Sequence, residues 1–349
     1  LIVAGSAAGG YYFYANSELF SPFKPVYNRL GIDLPRSFER FEGSFKYLDQ
    51  LRREPCDSDA MSALVPLIEK AGYPRESAAS VETFSTKCTA SSRMFRHALN
   101  AYTRLGDHAA ATRMADAIVR LYPTVRDYRY WRGQTYEKSK NYKAALADYI
   151  SSVDLAADLS KIGASDFYNV SRMYEVLGRP CDAISPLETY ISYNVKERQT
   201  QQIAKIISDY SKAGKCAATY ATGSARIVIP PTNMVDVTIN GVRARMILDT
   251  GASQVSITPQ LAARARITPD EGDLVEVKTV GGNMKQATGY AQSLSVGSAA
   301  AANVPLLIAV GSDNAFGNEI DGLLGMTYLS RFNVVLAPGT LELTQKSRN

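Results

Sequence analysis

The sequence predicts a multidomain α and β protein: an N-terminal α-helical solenoid followed by a C-terminal all-β domain. Three observations carry this. Tyrosines recur at near-constant spacing between residues 90 and 217. Beyond residue 225, apolar and polar residues alternate with the two-residue period of half-buried strands. The chain has 349 residues and is 46% apolar, enough for two packed domains rather than one.

In the helical part, Tyr102, Tyr136, Tyr174 and Tyr210 stand 34, 38 and 36 residues apart. Gly106, Gly178 and Gly214 each follow their tyrosine by four residues, with Lys140 in the remaining place, and Ala111, Ala145 and Ala183 follow by nine. Gly133, Tyr149 and Pro123 fill out the pattern. Small residues at the alanine positions let two antiparallel helices approach, and the tyrosines pack between adjacent units. A period near 34 with these positions resembles the tetratricopeptide repeat. Residues 45–90 also read as helical, with Met61, Leu64, Leu67 and Ile68 spaced for one apolar face. They would cap the solenoid, which places the repeat domain at residues 45–218. Pro22, Pro25 and Pro35 predict an irregular linker over residues 18–44.

In the β part, Val235, Val237 and Ile239 alternate with Asp236 and Thr238, and Asn240-Gly241 supplies a two-residue hairpin turn. The return strand alternates through Val242, Ala244, Met246 and Leu248 and delivers Asp249 to its far end. Aspartate is depleted from strands, and a carboxylate at the buried end of one must be paired or protonated. Thr250, Gly251, Ala252 and Ser253 then turn the backbone sharply. Val255 and Ile257 read as a short strand, and Thr258-Pro259 as a helix cap and first turn. Val275, Val277, Thr279 and Val280 lead into Gly281-Gly282-Asn283, a hairpin tip. Ile320 to Met326 bring Leu323-Leu324-Gly325 before a short helix.

The catalytic-type turn, the glycine-tipped hairpin and the apolar-apolar-glycine element follow one another as in the retropepsin-like aspartic proteases, including the bacterial single-lobe kind. Residues 225–349 are similar to that family, which implies a β-barrel lobe. With one Asp-Thr-Gly in the chain, the resemblance implies a homodimer in which two Asp249 carboxylates hold one water. A shared proton makes one carboxylate the base and the other the acid. Thr250 would lock the two turns across the dimer, and Gly251 would permit their close approach. Val280, Gly281, Gly282 and Asn283 would form a flap that pairs with the peptide as an added strand. Leu323, Leu324 and Gly325 would support the turn. The substrate would be a protein or peptide, and neither a metal nor an organic cofactor is needed.

Charge and inventory narrow the alternatives. The net charge is +5, and residues 225–349 hold ten Lys/Arg against ten Asp/Glu. There is no dense basic block, which gives nucleic-acid binding little support. The two histidines, His97 and His108, both lie in the helical region. A histidine-based metal site or a Ser-His-Asp triad in the β part is thereby excluded.

Residues 1–17 carry no charge, and their Tyr11-Tyr12-Phe13-Tyr14 cluster would suit a headgroup level. The run is shorter than the ~20 residues of a bilayer span; it reads as part of a membrane anchor, with a buried strand or a signal remnant as alternatives. Four cysteines, Cys56, Cys88, Cys181 and Cys216, all precede the β part. Four allow three pairings. Cys56 and Cys88 bracket one helical pair; Cys181 and Cys216 fall at nearly equivalent places in neighbouring units, where a bridge fits. Buried thiols are the alternative. Bridges need an oxidising compartment, so the expected location is the periplasmic face of a bacterial inner membrane. The expected function is that of an aspartic endopeptidase whose repeats recruit substrate or a partner protein. The alternative is a non-catalytic periplasmic adaptor in which the repeats bind a partner and the β domain is a peptide clamp.

Overall fold

The computed structural model describes residues 21–216, 220–279, 282–311 and 314–346. The expected anchor over residues 1–17 lies outside the described residues, as do Val280 and Gly281 of the hairpin tip. No helix among the described residues is long and apolar enough to cross a membrane.

The chain divides into two compact units between Leu121 and Tyr122. The later repeats and the β part fall in the same compact unit. Burial explains it. One core runs from Ala145, Tyr149 and Phe167 in the helices to Met246, Leu324 and Leu329 in the β part.

The first unit holds α1 (Lys24–Leu30), α2 (Ser44–Arg53), α3 (Ser58–Lys70), α4 (Pro74–Ser85), α5 (Ser92–Arg104) and α6 (His108–Leu121). Side-chain caps start three of them: Asp57 accepts from the N–H groups of Asp59 and Ala60, Ser91 from that of Met94, and Asp107 from that of Ala110. Met61, Leu64 and Ile68 form the buried face of α3 as expected; Val65 joins them, while Leu67 is only half-buried. The linker expected over residues 18–44 is helical and packed where it is described. Pro25 sits in the first turn of α1, where its fixed φ suits a helix, and Phe23, Val26 and Tyr27 are buried. Cys56 and Cys88 are bridged, with Cα atoms 5.3 Å apart.

The second unit begins with α7 (Arg126–Lys138), α8 (Tyr142–Asp154), α9 (Ala164–Val176), α10 (Pro180–Ser192), α11 (Val195–Arg198) and α12 (Gln201–Gly214). Tyr136, Tyr174 and Tyr210 lie on first helices and the fully buried Ala145 and Ala183 on second helices, as the repeat register requires. Gly133 shows why a small residue is needed there: a Cβ on it would come within 3.0 Å of the Tyr149 ring. The fourth unit contributes α12 alone; Cys216 follows it and is bridged to Cys181 across a Cα separation of 5.6 Å.

The β part contains β1 (Ala225–Val228), β2 (Met234–Ile239), β3 (Val242–Leu248), β4 (Val255–Ile257), α13 (Pro259–Arg264), β5 (Asp270–Thr279), β6 (Gly282–Val296), β7 (Ala299–Ala309), β8 (Gly322–Leu324), α14 (Met326–Leu329), β9 (Phe332–Ala337) and β10 (Thr340–Gln345). Seven strands form a sheet in the order β2-β3-β8-β4-β7-β6-β5, and β2 also pairs with β6, which closes it into a barrel. A second sheet has the order β1-β10-β9. The turn between β2 and β3 has positive φ at both Asn240 (48°) and Gly241 (81°), the geometry that pair was expected to supply.

Candidate active site

Asp249 follows the last residue of β3, and β8 runs parallel beside that strand with Ile247 opposite Leu323 and Leu248 opposite Leu324. The turn and the apolar-apolar-glycine element are thus adjacent, although 73 residues of sequence separate Asp249 from Gly322. The Asp249 N–H donates to the Leu324 carbonyl at 3.2 Å, and the Met326 N–H to the Ala252 carbonyl at 2.9 Å. Leu248 and Leu324 are buried beneath the turn, while Leu323 is half-buried. A Cβ on Gly325 would stand 2.0 Å from the Gln254 carbonyl oxygen, and one on Gly322 would stand 2.0 Å from that of Ser256. Only glycine fits between these backbones.

Within the turn, the Gly251 N–H donates to Asp249 Oδ1 at 2.8 Å. A Cβ on Gly251 would lie 3.1 Å from that same oxygen, so the glycine lets the carboxylate fold back onto its own turn. Asp249 is half-buried; Thr250 and Gly251 are exposed, and Ser253 is buried. The Val255 N–H donates to Thr327 Oγ1 at 2.9 Å, anchoring the far side of the turn to α14. Gly282 and Asn283 begin β6, paired with Thr279 and Lys278 of β5; Val280 and Gly281 lie outside the described residues.

The helices meet this turn directly. Tyr193, which ends α10, donates its hydroxyl to the Thr250 carbonyl at 2.9 Å. Asp154, the last residue of α8, lies behind Ser253. Burial pushes its carboxyl up to about 7, the Ser253 hydroxyl and amide pull it back, and the charge of Asp249 adds to the rise. A cavity of about 960 Å³ opens beside Thr250, lined by Ile191, Tyr193 and Ile207 from the helices and by Met326, Leu329 and Val334 from the β part. Further along, Arg129 of α7 reaches Glu276 of β5 at 3.0 Å, and Ser151 of α8 accepts the Glu276 N–H at 2.8 Å. Asp154, Tyr193, Arg129 and Ser151 carry no local sequence signal for these roles, because their partners lie 57 to 147 residues away or are defined only by the packed fold.

Residues 235–328 match the family model described as aspartyl protease. This segment is similar to the aspartyl protease family. No curated protein matches the chain. Among solved structures, the chain is similar to a retropepsin-like aspartic protease from Rickettsia conorii, at 22% identity over 35% of this chain and 99% of that one, with a TM-score of 0.27. It is also similar to YrrB, described as a TPR protein with an unusual peptide-binding site, at 15% identity over 57% and 97% of the two chains with a TM-score of 0.38. A third is a thermophilic TPR protein of Thermus thermophilus, at 15% identity over 51% and 93% with a TM-score of 0.31. The matched segment spans the Asp249 turn, both hairpin strands β5 and β6, and the Gly325 element.

Proposed function

We propose that the chain is an aspartic endopeptidase, active as a homodimer, with the helical repeats recruiting a substrate or partner protein. The observation that supports it most is the intact Asp249 turn: a half-buried carboxylate at a strand end that accepts from the Gly251 N–H, on a residue whose own N–H donates to the Leu324 carbonyl. In this reading Asp249 and Asp249 of the partner subunit flank one water. One carboxylate takes its proton while the other protonates the leaving nitrogen. Thr250, exposed at the turn, is available for a contact across the dimer. The β5–β6 hairpin, ending at Gly282 and Asn283, folds over the peptide and pairs with it. The two bridges, Cys56–Cys88 and Cys181–Cys216, support a periplasmic setting.

The test is hydrolysis of an unfolded protein by the wild type and by Asp249→Asn, which keeps shape but cannot share a proton. The wild type should cleave with a bell-shaped pH profile whose maximum lies on the acid side of neutrality, with a rate second order in protein at low concentration. Wild-type turnover in Asp249→Asn would end this reading. A folded dimer that binds peptide and cleaves none would leave the adaptor reading, to which the cavity beside Thr250 lends support.

A further inference from the structure

The Asp249 turn is held from two sides. One side is the protease lobe itself, through Leu324, Gly325 and Thr327. The other is helical: the Tyr193 hydroxyl on the Thr250 carbonyl, and α8 ending at Asp154 behind Ser253. A turn whose exposed residues, Thr250 and Gly251, carry the working geometry has little packing of its own to fix it. We propose that Tyr193, a residue of the helical repeats, is a positioning residue for the Asp249 turn, so that the repeats set the geometry of the protease site within their own chain. This rests on the reading of Asp249 as the catalytic carboxylate.

The chemistry suits the role. A tyrosine hydroxyl can hold a carbonyl only while it keeps its proton. Burial holds the Tyr193 hydroxyl well above its ordinary range, and the carboxylates of Asp154, Asp249 and Asp158 raise it further against the opposing Arg198. Tyr193 is therefore a donor at every pH at which an aspartate pair can work. The bond is also local to the working atoms: displacement of the Thr250 carbonyl rotates the Thr250–Gly251 peptide, whose N–H holds Asp249 Oδ1 at 2.8 Å. Misplacement of reacting groups by about 1 Å costs on the order of a hundredfold in rate, and a single lost hydrogen bond permits a fraction of that.

The test compares the full-length wild type with Tyr193→Phe, which keeps the ring and removes only the donor. Thermal midpoints check that the variant folds. Amide exchange is read on peptides covering residues 249–254, and kcat and KM on an unfolded protein substrate. The expected result is faster exchange at residues 249–254 and a kcat lower by about three- to tenfold with KM unchanged. Unchanged exchange overturns the proposal whether or not kcat falls, because Tyr193 would then not hold the turn. Faster exchange with unchanged kcat overturns it as well, because the contact would be structural only. If the wild type itself cleaves nothing, the endopeptidase reading fails separately, and the exchange measurement still decides whether Tyr193 holds the turn.

Discussion

Asp154 has a cost that can be measured. Its folded pKa of about 7 lies above the ~3.9 of an unfolded aspartate. The folded state therefore binds the proton more tightly, so stability is full below about pH 4 and declines as pH rises through 7. Asp154→Asn has nothing to titrate there. Its thermal midpoint should match the wild type near pH 4 and exceed it increasingly up to pH 8; a gap independent of pH would show that Asp154 does not carry the buried charge. The contrast with Asp249 is instructive at the same scale. Asp249, Gly251 and Gly325 were legible in the sequence because each follows a local rule: a carboxylate ending an alternating strand, and glycines where backbones must touch. Asp154 and Tyr193 were not, since an aspartate at the end of one helix and a tyrosine at the end of another are ordinary in any solvated solenoid. Only packing against the turn gives them their setting.

At the level of elements, the join between α7, α8 and β5 is polar and dry. Arg129, Asp148 and Glu276 are all buried, and Arg129 bridges the two carboxylates, to Asp148 at 3.4 Å and Glu276 at 3.0 Å. Arg132 pairs with Asp148 at 2.7 Å. Burial pushes the Asp148 carboxyl up while the two arginines hold it down. Removing Arg129 leaves the buried Glu276 carboxylate without its arginine, while Arg132 still holds Asp148. Arg129→Met should therefore cost about 3–5 kcal/mol in chemical denaturation, and Arg129→Met with Glu276→Gln should recover part of the loss. If the double variant is no more stable than the single one, the pair is not coupled. The helix pairs themselves were readable, since tyrosine, alanine and glycine recur with the helical register. The join was not: Arg129 and Glu276 are 147 residues apart, and each reads alone as an ordinary surface charge. The proline-bearing segment after residue 21 misled for a related reason, because a proline that starts α1 looks the same in sequence as one that breaks a helix.

For the whole molecule, the division between Leu121 and Tyr122 means that the protease lobe and the repeats from α7 onward share one core. Arg331, buried to 1%, donates to the carbonyls of Thr327, Tyr220, Ala302 and Asn303, and lies 4.1 Å from the Tyr220 ring centroid. It thus fastens the segment before β1 to the lobe. A fragment of residues 122–349 should unfold in one cooperative transition, whereas residues 225–349 alone should melt lower and expose apolar surface to a hydrophobic dye. Equal midpoints for the two fragments would show that the shared core adds nothing. The bonds from Arg129 and Ser151 to Glu276 extend the same unity to the strand that leads to the hairpin. A ligand that spreads α7 from α8 must do work on β5. Thermodynamic reciprocity then requires a peptide that draws the hairpin down to change the affinity of the repeats by the same factor. If the repeats and the lobe bind as proposed, their occupancies form one linked equilibrium, and a Kd measured for either is defined only at a stated concentration of the other.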